Sequence, residues 1–431
     1  MPSRTSAVMG TAVHRFAWHV LNLRHWIFAG YLRLFVRSPL RDSPLPPDFS
    51  PQRILILRLD EIGDFILTTP FLRAIRKRFP TARITLLVNS SVQALAKSCP
   101  YIDELVVFPV KRRRPPFDQA GVYRSARQFA HQSLRNKGFD CALIPRADID
   151  NAGALAMAYH AGIPHRIGFT EHAYPLKAGK NRGYDRFLTH ALSPGELLHE
   201  VPRTLDLARA LGADVRDTRL ELWPSDADEA SADVLLKPFR EPVRPLVAFG
   251  PGAGIQRRQW PVASFAELGV RLVSRIGAQI VIVGGPADES LGREIVSRLG
   301  GESSHVLNLA GRTSLSVTAA VLARCTLFVG NDSGPMHMAA GMCTPCVEVS
   351  CHPADGNPLG ANSPLRFSPW KVPHRVLQPA DALAPCRTEC VMSHAHCITS
   401  IQVDAVFAAA TELLSSIRGA VPAGAPATVF G

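Results

Sequence analysis

Val329-Gly330-Asn331-Asp332-Ser333-Gly334-Pro335-Met336-His337-Met338-Ala339-Ala340 reads as an apolar strand that ends in a polar turn and opens a helix. A turn of this kind is an anion site. Free backbone N–H groups and the positive end of the helix dipole point at whatever lies above Ser333 and Gly334, and glycine lets a phosphate approach closely. His337 falls one turn further in, on the same helical face as Ser333, where it adds a donor.

A second stretch has the same grammar. Arg53 to Leu59 is an apolar run between arginines, Asp60-Glu61-Ile62-Gly63-Asp64 is an acidic turn, and Phe65 to Phe79 is patterned as an amphipathic helix. Two strand-turn-helix sites, one in each half, predict an α/β protein with two Rossmann-like domains facing each other across a cleft. The 431 residues exceed what one hydrophobic core usually serves, so two domains of roughly 180 residues each are expected. Further strand-like runs at Ile84–Val88, Glu104–Phe108, Cys141–Pro145 and Ile163–Phe169 continue the βα alternation in the first half. Those at Leu246–Phe249, Gln279–Gly285 and Leu327–Asp332 continue it in the second. The expected divisions are 49–235 for the first Rossmann-like domain, 236–402 for the second and 403–418 for a terminal helix. The charged, proline-bounded stretch from Pro224 to Pro245 is read as the interdomain linker, and 419–431 as a disordered small-residue tail.

Apolar residues make up 46% of the chain and charged ones 19%, which fits a well-filled globular protein, and the formal charge of +12 calls for polyanionic company. Nine cysteines without an early secretory signal favour a reducing cytosol over a disulfide framework. No run of about 18 apolar residues is present to span a membrane. The first 41 residues hold six arginines, no lysine and no acid, with Trp18, Trp26, Phe28, Tyr31 and Phe35 among them. On a helical wheel Arg15, His19, Asn22, Arg33 and Arg37 form one stripe, flanked by His14 and His25, with Arg24 opposite. The pattern suits an amphipathic helix lying on an anionic membrane surface and followed by the proline-rich linker Ser43–Pro47, the two together making up 1–48. A helix packed on the protein's own core and an organellar transit peptide are the alternatives.

Several side chains have both a chemical and a plain structural reading. Asp64 can cap a helix, or take a proton from a hydroxyl nucleophile, with Asp60 and Glu61 as neighbouring competitors. Gly250, Gly252 and Gly254 match neither a Walker motif nor the dinucleotide fingerprint, but Arg258 just after them can clamp a diphosphate. Asp332 can cap its helix, and His337 can be an interior histidine. Lys111, Arg112 and Arg113 follow a strand in a proline-stopped loop, as a solvated run or a docking site for an acidic acceptor. Cys343 and Cys346 have redox spacing but lie between a helix end and a strand, so they read as buried inert thiols. Cys386, Cys390 and Cys397, with His394 and His396, have the right chemistry for structural zinc, although their spacing matches no standard finger, and no metal is assigned.

In these residues the chain resembles the bacterial heptosyltransferases of lipopolysaccharide core synthesis, the glycosyltransferase family that uses ADP-heptose. The matching pieces are Ile62-Gly63-Asp64, Arg166-Ile167-Gly168, His199 before its helix, Gly252-Ala253 with Trp260-Pro261, and Asp332-Ser333-Gly334 with His337 and Ala339-Ala340. They run over about residues 52–410. The resemblance implies a GT-B architecture and metal-free inversion at the anomeric carbon, with no cofactor. It further implies Asp64 as general base, and Gly252, Ala253, Arg258, Asp332, Ser333, Gly334 and His337 around the donor. Gly63, Lys111, Arg112 and Arg113 are placed on the acceptor side, and Arg258 is also expected to assist catalysis. The expected partners are a nucleotide-sugar donor, a phosphorylated glycolipid acceptor and an anionic membrane surface, not nucleic acid. The expected location is cytoplasmic, peripheral on the bacterial inner membrane. The chain departs from the family in having Arg258 where lysine is usual and Ser350-Cys351 where Phe-Gly is usual. A UDP- or GDP-sugar donor and a catalytically silent nucleotide- or glycan-binding protein remain the alternatives.

Overall fold

The computed structural model describes residues 26–37, 45–46, 48–109, 119–195, 199–239 and 244–420. The basic stripe before Trp26, the loop residues Lys111, Arg112 and Arg113, and residues 421–431 lie outside them, while Gly419 and Ala420, read as the start of the tail, continue the last helix.

Two six-stranded sheets carry the fold. The first holds β1 (Arg53–Arg58), β2 (Arg83–Asn89), β3 (Glu104–Phe108), β4 (Cys141–Ile144), β5 (His165–Phe169) and β6 (His190–Leu192), in the order β3-β2-β1-β4-β5-β6. The second holds β7 (Leu246–Gly250), β8 (Gln279–Ile282), β9 (Val306–Asn308), β10 (Leu327–Asn331), β11 (Cys346–Val349) and β12 (His374–Leu377), in the order β12-β11-β10-β7-β8-β9. Every pairing is parallel. Counted within each half, both sheets have the same doubly wound order, the GT-B plan expected from the sequence. The central strands are buried on both faces, which is why β1, β7 and β10 read as continuous apolar runs rather than alternating ones.

The strand order reverses between β1 and β4 in the first sheet and between β7 and β10 in the second. At such a point neighbouring connections leave in opposite directions and open a crevice above the strand ends. Both motifs of the sequence sit there, the acidic turn after β1 and the Asp332-Ser333-Gly334 turn after β10.

The helix expected over Phe65–Phe79 is two helices, Ile62–Ile66 and Thr69–Arg78. Pro70 has no N–H and disfavours helical backbone before it, so the chain breaks at Leu67 and Thr68. The Thr68 hydroxyl donates to the Asp64 carbonyl at 2.7 Å and stabilises the break. The stretch read as a linker contains a helix, Asp226–Leu236, closed at its start by a reciprocal cap between Ser225 and Asp228. Arg324 holds it to the second half through Asp233, at 2.7 Å, and Glu229.

Residues 26–35 form a helix that lies on the first half rather than apart from it. Ala29, Leu32 and Val36 are buried at helical spacing, and Arg182 stacks on the Trp26 ring at 4.0 Å. The own-core alternative therefore describes one face of this helix. The opposite face leaves Ile27, Leu34 and Phe35 between 64% and 81% exposed. At the other end, the helix Val403–Ala420 packs through Val406, Ala410, Leu413 and Leu414 into the core that contains Trp260.

Candidate active site

The two turns meet. A Cβ on Gly63 would come within 2.5 Å of the His337 ring, and one on Gly334 within 3.2 Å of Ile62. The two short helices Ile62–Ile66 and Gly334–Gly341 touch because these positions carry no side chain. The cleft they border has a volume of about 240 Å³ and is lined from the first half by Arg58, Glu61, Gly63, Asp64, Arg146, Asp148 and Glu200. From the second half come Arg258, Asp332, Ser333, Gly334, His337 and Arg366.

Asp64 is the third residue of its helix and not the cap, which is Glu61. Its carboxylate accepts from the Glu61 N–H at 3.3 Å and from the Arg58 guanidinium at 3.3 Å. Arg58 is buried at the end of β1, and its Nε donates to the Asp64 carbonyl at 3.2 Å. One arginine thus fixes both the backbone and the side chain of Asp64. Geometry also separates Asp60 from Asp64. Asp60 is ion-paired to both Arg58, at 3.2 Å, and Arg146, and burial raises its pKa against the pull of those two cations. Asp64 faces the cleft with its side chain 23% exposed, against 11% for Asp60.

The opposite wall is built differently. Asp332 does not cap the helix; Ser333 occupies that position, and its hydroxyl donates to the Asn331 carbonyl at 3.1 Å. No side chain caps the first turn; Pro335 has no N–H and Met336 donates to the Ser333 carbonyl at 3.1 Å, which leaves the N–H groups of Ser333 and Gly334 to the cleft. Asp332 instead pairs with Arg258 at 3.4 Å and lies 3.9 Å from the ring of His337. His337 is buried, and burial lowers its pKa despite the nearby carboxylates of Asp332 and Asp64. Asn331 ties the turn to its neighbour: its amide donates to the Pro251 carbonyl at 2.8 Å, and its oxygen accepts from the Trp260 N–H at 3.0 Å.

Gly252 and Ala253 lie on the turn after β7, outside the residues that line this cleft. A Cβ on Gly252 would overlap the Asp288 carboxylate, so the need for glycine there is a close side-chain approach. Of the two cysteines with redox spacing, Cys346 is buried as expected, but Cys343 is exposed with φ of 62°, because it ends the turn after a helix.

Arg58, Arg146, Asp148, Glu200 and Arg366 were not singled out from sequence. Arg366 is 2% exposed and reaches across to the first half, pairing with Glu200 at 2.7 Å and Asp148 at 2.9 Å. Burial works against ionised Asp148, but Arg146 and Arg366 outweigh it and hold the carboxyl below its usual range. His199 adds a second crossing. Its Nε2–H donates to the Ser368 carbonyl at 2.9 Å, its Nδ1 accepts from the Val201 N–H, and its ring stacks on Trp370. For Arg58, an arginine ending an otherwise apolar strand was the available signal. For Arg366 there was none.

Comparison with known proteins agrees with this fold. The chain is 27% identical over 316 residues to lipopolysaccharide heptosyltransferase 2 of Salmonella typhimurium, an alignment covering 69% of this chain and 82% of that protein. Its fold is similar to that of a glycosyltransferase family 9 protein from Veillonella parvula, with a TM-score of 0.66, 22% identity and coverage of 88% and 100%. It is also similar to the E. coli ADP-heptose lps heptosyltransferase II, with a TM-score of 0.63, 24% identity and coverage of 85% and 99%. The model for glycosyltransferase family 9 (heptosyltransferase) matches residues 127–396, more than half of the chain, and this protein therefore belongs to that family of glycosyltransferases.

Proposed function

We propose that this enzyme transfers heptose from ADP-heptose to a lipopolysaccharide core saccharide, inverting the anomeric centre without a metal. One observation carries the reading: Asp64 faces, across a single cleft, a helix start with uncapped N–H groups and the guanidinium of Arg258. Asp64 takes the proton of the acceptor hydroxyl as that oxygen attacks the anomeric carbon from the face opposite the diphosphate. Arg58 keeps its carboxylate aimed. The departing diphosphate gathers charge, which the Ser333-Gly334 N–H groups and Arg258 neutralise with charge-assisted bonds worth about 1.5–3 kcal/mol each. Arg258 is paired with Asp332 in the free site, so donor binding draws it from a carboxylate to a phosphate. Asp332 and His337 are assigned to the donor's sugar side, and Gly63, with Lys111, Arg112 and Arg113, to the acceptor side.

The test is nucleotide release from ADP-, UDP- and GDP-sugars with deacylated lipopolysaccharide core as acceptor. Acceptor-dependent ADP release from ADP-heptose that Asp64→Asn abolishes is the expected result. Release from a UDP- or GDP-sugar alone would move the donor assignment, and silence with every donor would favour a binding protein.

We further infer that the enzyme works at an anionic membrane surface on the cytoplasmic side. The exposed face of helix 26–35 offers Ile27, Leu34 and Phe35, in a segment of the chain rich in arginine and free of acids. An apolar stripe beside basic residues suits insertion between acidic headgroups. Leu34→Glu with Phe35→Glu is expected to abolish co-sedimentation with phosphatidylglycerol vesicles. Unchanged sedimentation would remove the membrane from the reading.

A further inference from the structure

Between β12 and the last helix the chain runs through residues 378–396 without helix or strand. A stretch of this length inside a compact domain is uncommon unless something orders it. Its apolar side chains do not all point inward, since Val391 is 64% exposed and Leu383 39%. What does point inward is sulfur. Cys386, Cys390 and Cys397 are buried, and the ligand atoms of these three and of His396 all lie within 4.8 Å of one another.

Two of the separations match the edges of a tetrahedron around one ion. His396 Nδ1 lies 3.6 Å from Cys386 Sγ and 3.5 Å from Cys397 Sγ. With a zinc–sulfur bond of about 2.3 Å and a zinc–nitrogen bond of about 2.0–2.1 Å, tetrahedral geometry sets the S···N edge at about 3.6 Å. The Val391 N–H points at Cys386 Sγ at 3.5 Å, an arrangement that stabilises a thiolate. Three thiols and an imidazole have no mutual attraction strong enough to gather them in a loop, whereas a divalent ion has. We propose that Cys386, Cys390, His396 and Cys397 bind one structural zinc ion. Binding releases three protons, one from each thiol, and leaves a four-coordinate centre with no open position for chemistry.

None of the four residues lines the active-site cleft, so this centre is separate from the metal-free transfer. It is nonetheless connected to the donor wall. Cys397 begins the short helix Cys397–Ser400, and the next residue, Ile401, accepts through its carbonyl the Trp260 Nε1–H at 3.1 Å. Trp260 lies two residues after Arg258 and donates its backbone N–H to Asn331. The segment also holds the loop after β11, because the Thr388 carbonyl accepts from the Asn357 N–H at 2.8 Å. The zinc knot thus braces the turn that carries Arg258.

The experiment is metal analysis of the reduced, full-length protein after zinc loading and gel filtration, repeated with cobalt and read by absorbance. Both readouts need no substrate, so their failure is independent of the sugar-transfer reading. One equivalent of zinc, and the visible bands of a tetrahedral cobalt thiolate, are expected for the wild type and for His394→Ala. Cys390→Ser and Cys397→Ser are expected to lose the metal. His396→Cys is expected to retain it with a changed cobalt spectrum, which guards against variants that simply fail to fold. Wild type that retains no metal, or retains iron but not zinc, would overturn the assignment, as would an unchanged spectrum in His396→Cys.

Discussion

The two halves share a strand order and differ in what they hang on it. At the first switch point the side chains are ionic: Arg58, Asp60, Asp64, Arg146 and Asp148 interleave cations with carboxylates. At the second the working groups are largely backbone, a helix start behind Ser333 and Gly334, with one guanidinium beside it. One scaffold therefore supports two kinds of chemistry. Carboxylates held by buried arginines suit proton transfer, where a group must be aimed. Uncapped N–H groups suit a diphosphate, whose charge is spread over several oxygens.

The sharpest way to break this contrast is to neutralise the first half alone. Asp64→Asn keeps the shape and removes the base, and turnover is expected to fall by about 10²–10⁴ with the donor KM nearly unchanged. An intact rate would leave Asp64 only the structural role of holding the Glu61 N–H and Arg58. Next in size is the crossing between the halves. Arg366→Met takes the nearest cation from Glu200 and Asp148, and breaking a buried pair in this way is expected to cost about 3–5 kcal/mol in denaturant unfolding. A loss near zero would mean that the two halves do not depend on this crossing.

On the second wall the effect should be in binding. Arg258→Lys keeps the charge but loses the planar fork, so the donor KM is expected to rise about tenfold while kcat changes less. A fall in kcat at constant KM would instead place Arg258 in the transition state alone. The smallest effect concerns pH. His199 is buried, and the loss of water around its ring pushes its pKa down to about 3 against the opposing pull of the Ser368 carbonyl. Unfolded histidine takes up a proton near pH 6.5, so the folded state is favoured above that value. His199 is then expected to cost up to about 1.4 kcal/mol of stability per unit as pH falls from about 6 towards 4. The slope of unfolding free energy against pH over that window should be shallower in His199→Gln; an identical slope would rule this contribution out.

Much of this was legible in one dimension, and the reasons are local. The alternation of buried strands and helices is a short-range pattern, and the turns after β1 and β10 announce themselves by composition. Asp64 and the Asp332-to-His337 run were found because helix starts have recognisable residues. Other readings failed for equally physical reasons. Pro70 split a helix that apolar periodicity alone joined, and Asp226–Leu236 was hidden in a stretch whose charge resembled a linker. The N-terminal helix was read from its polar stripe, while its docking depends on Ala29, Leu32 and Val36 meeting a surface formed by residues far along the chain.

By itself, then, the sequence determined the doubly wound halves, the two loaded turns and the family, because each is written in residues adjacent along the chain. The tertiary structure alone decided that Asp64 and not Asp60 faces the cleft, that Arg258 rests on Asp332, that Arg366 reaches Glu200, and that three thiols and an imidazole converge. Those facts join residues far apart in sequence or separated by irregular loops, and only folding fixes the distances on which ionic pairing, hydrogen bonding and metal ligation depend.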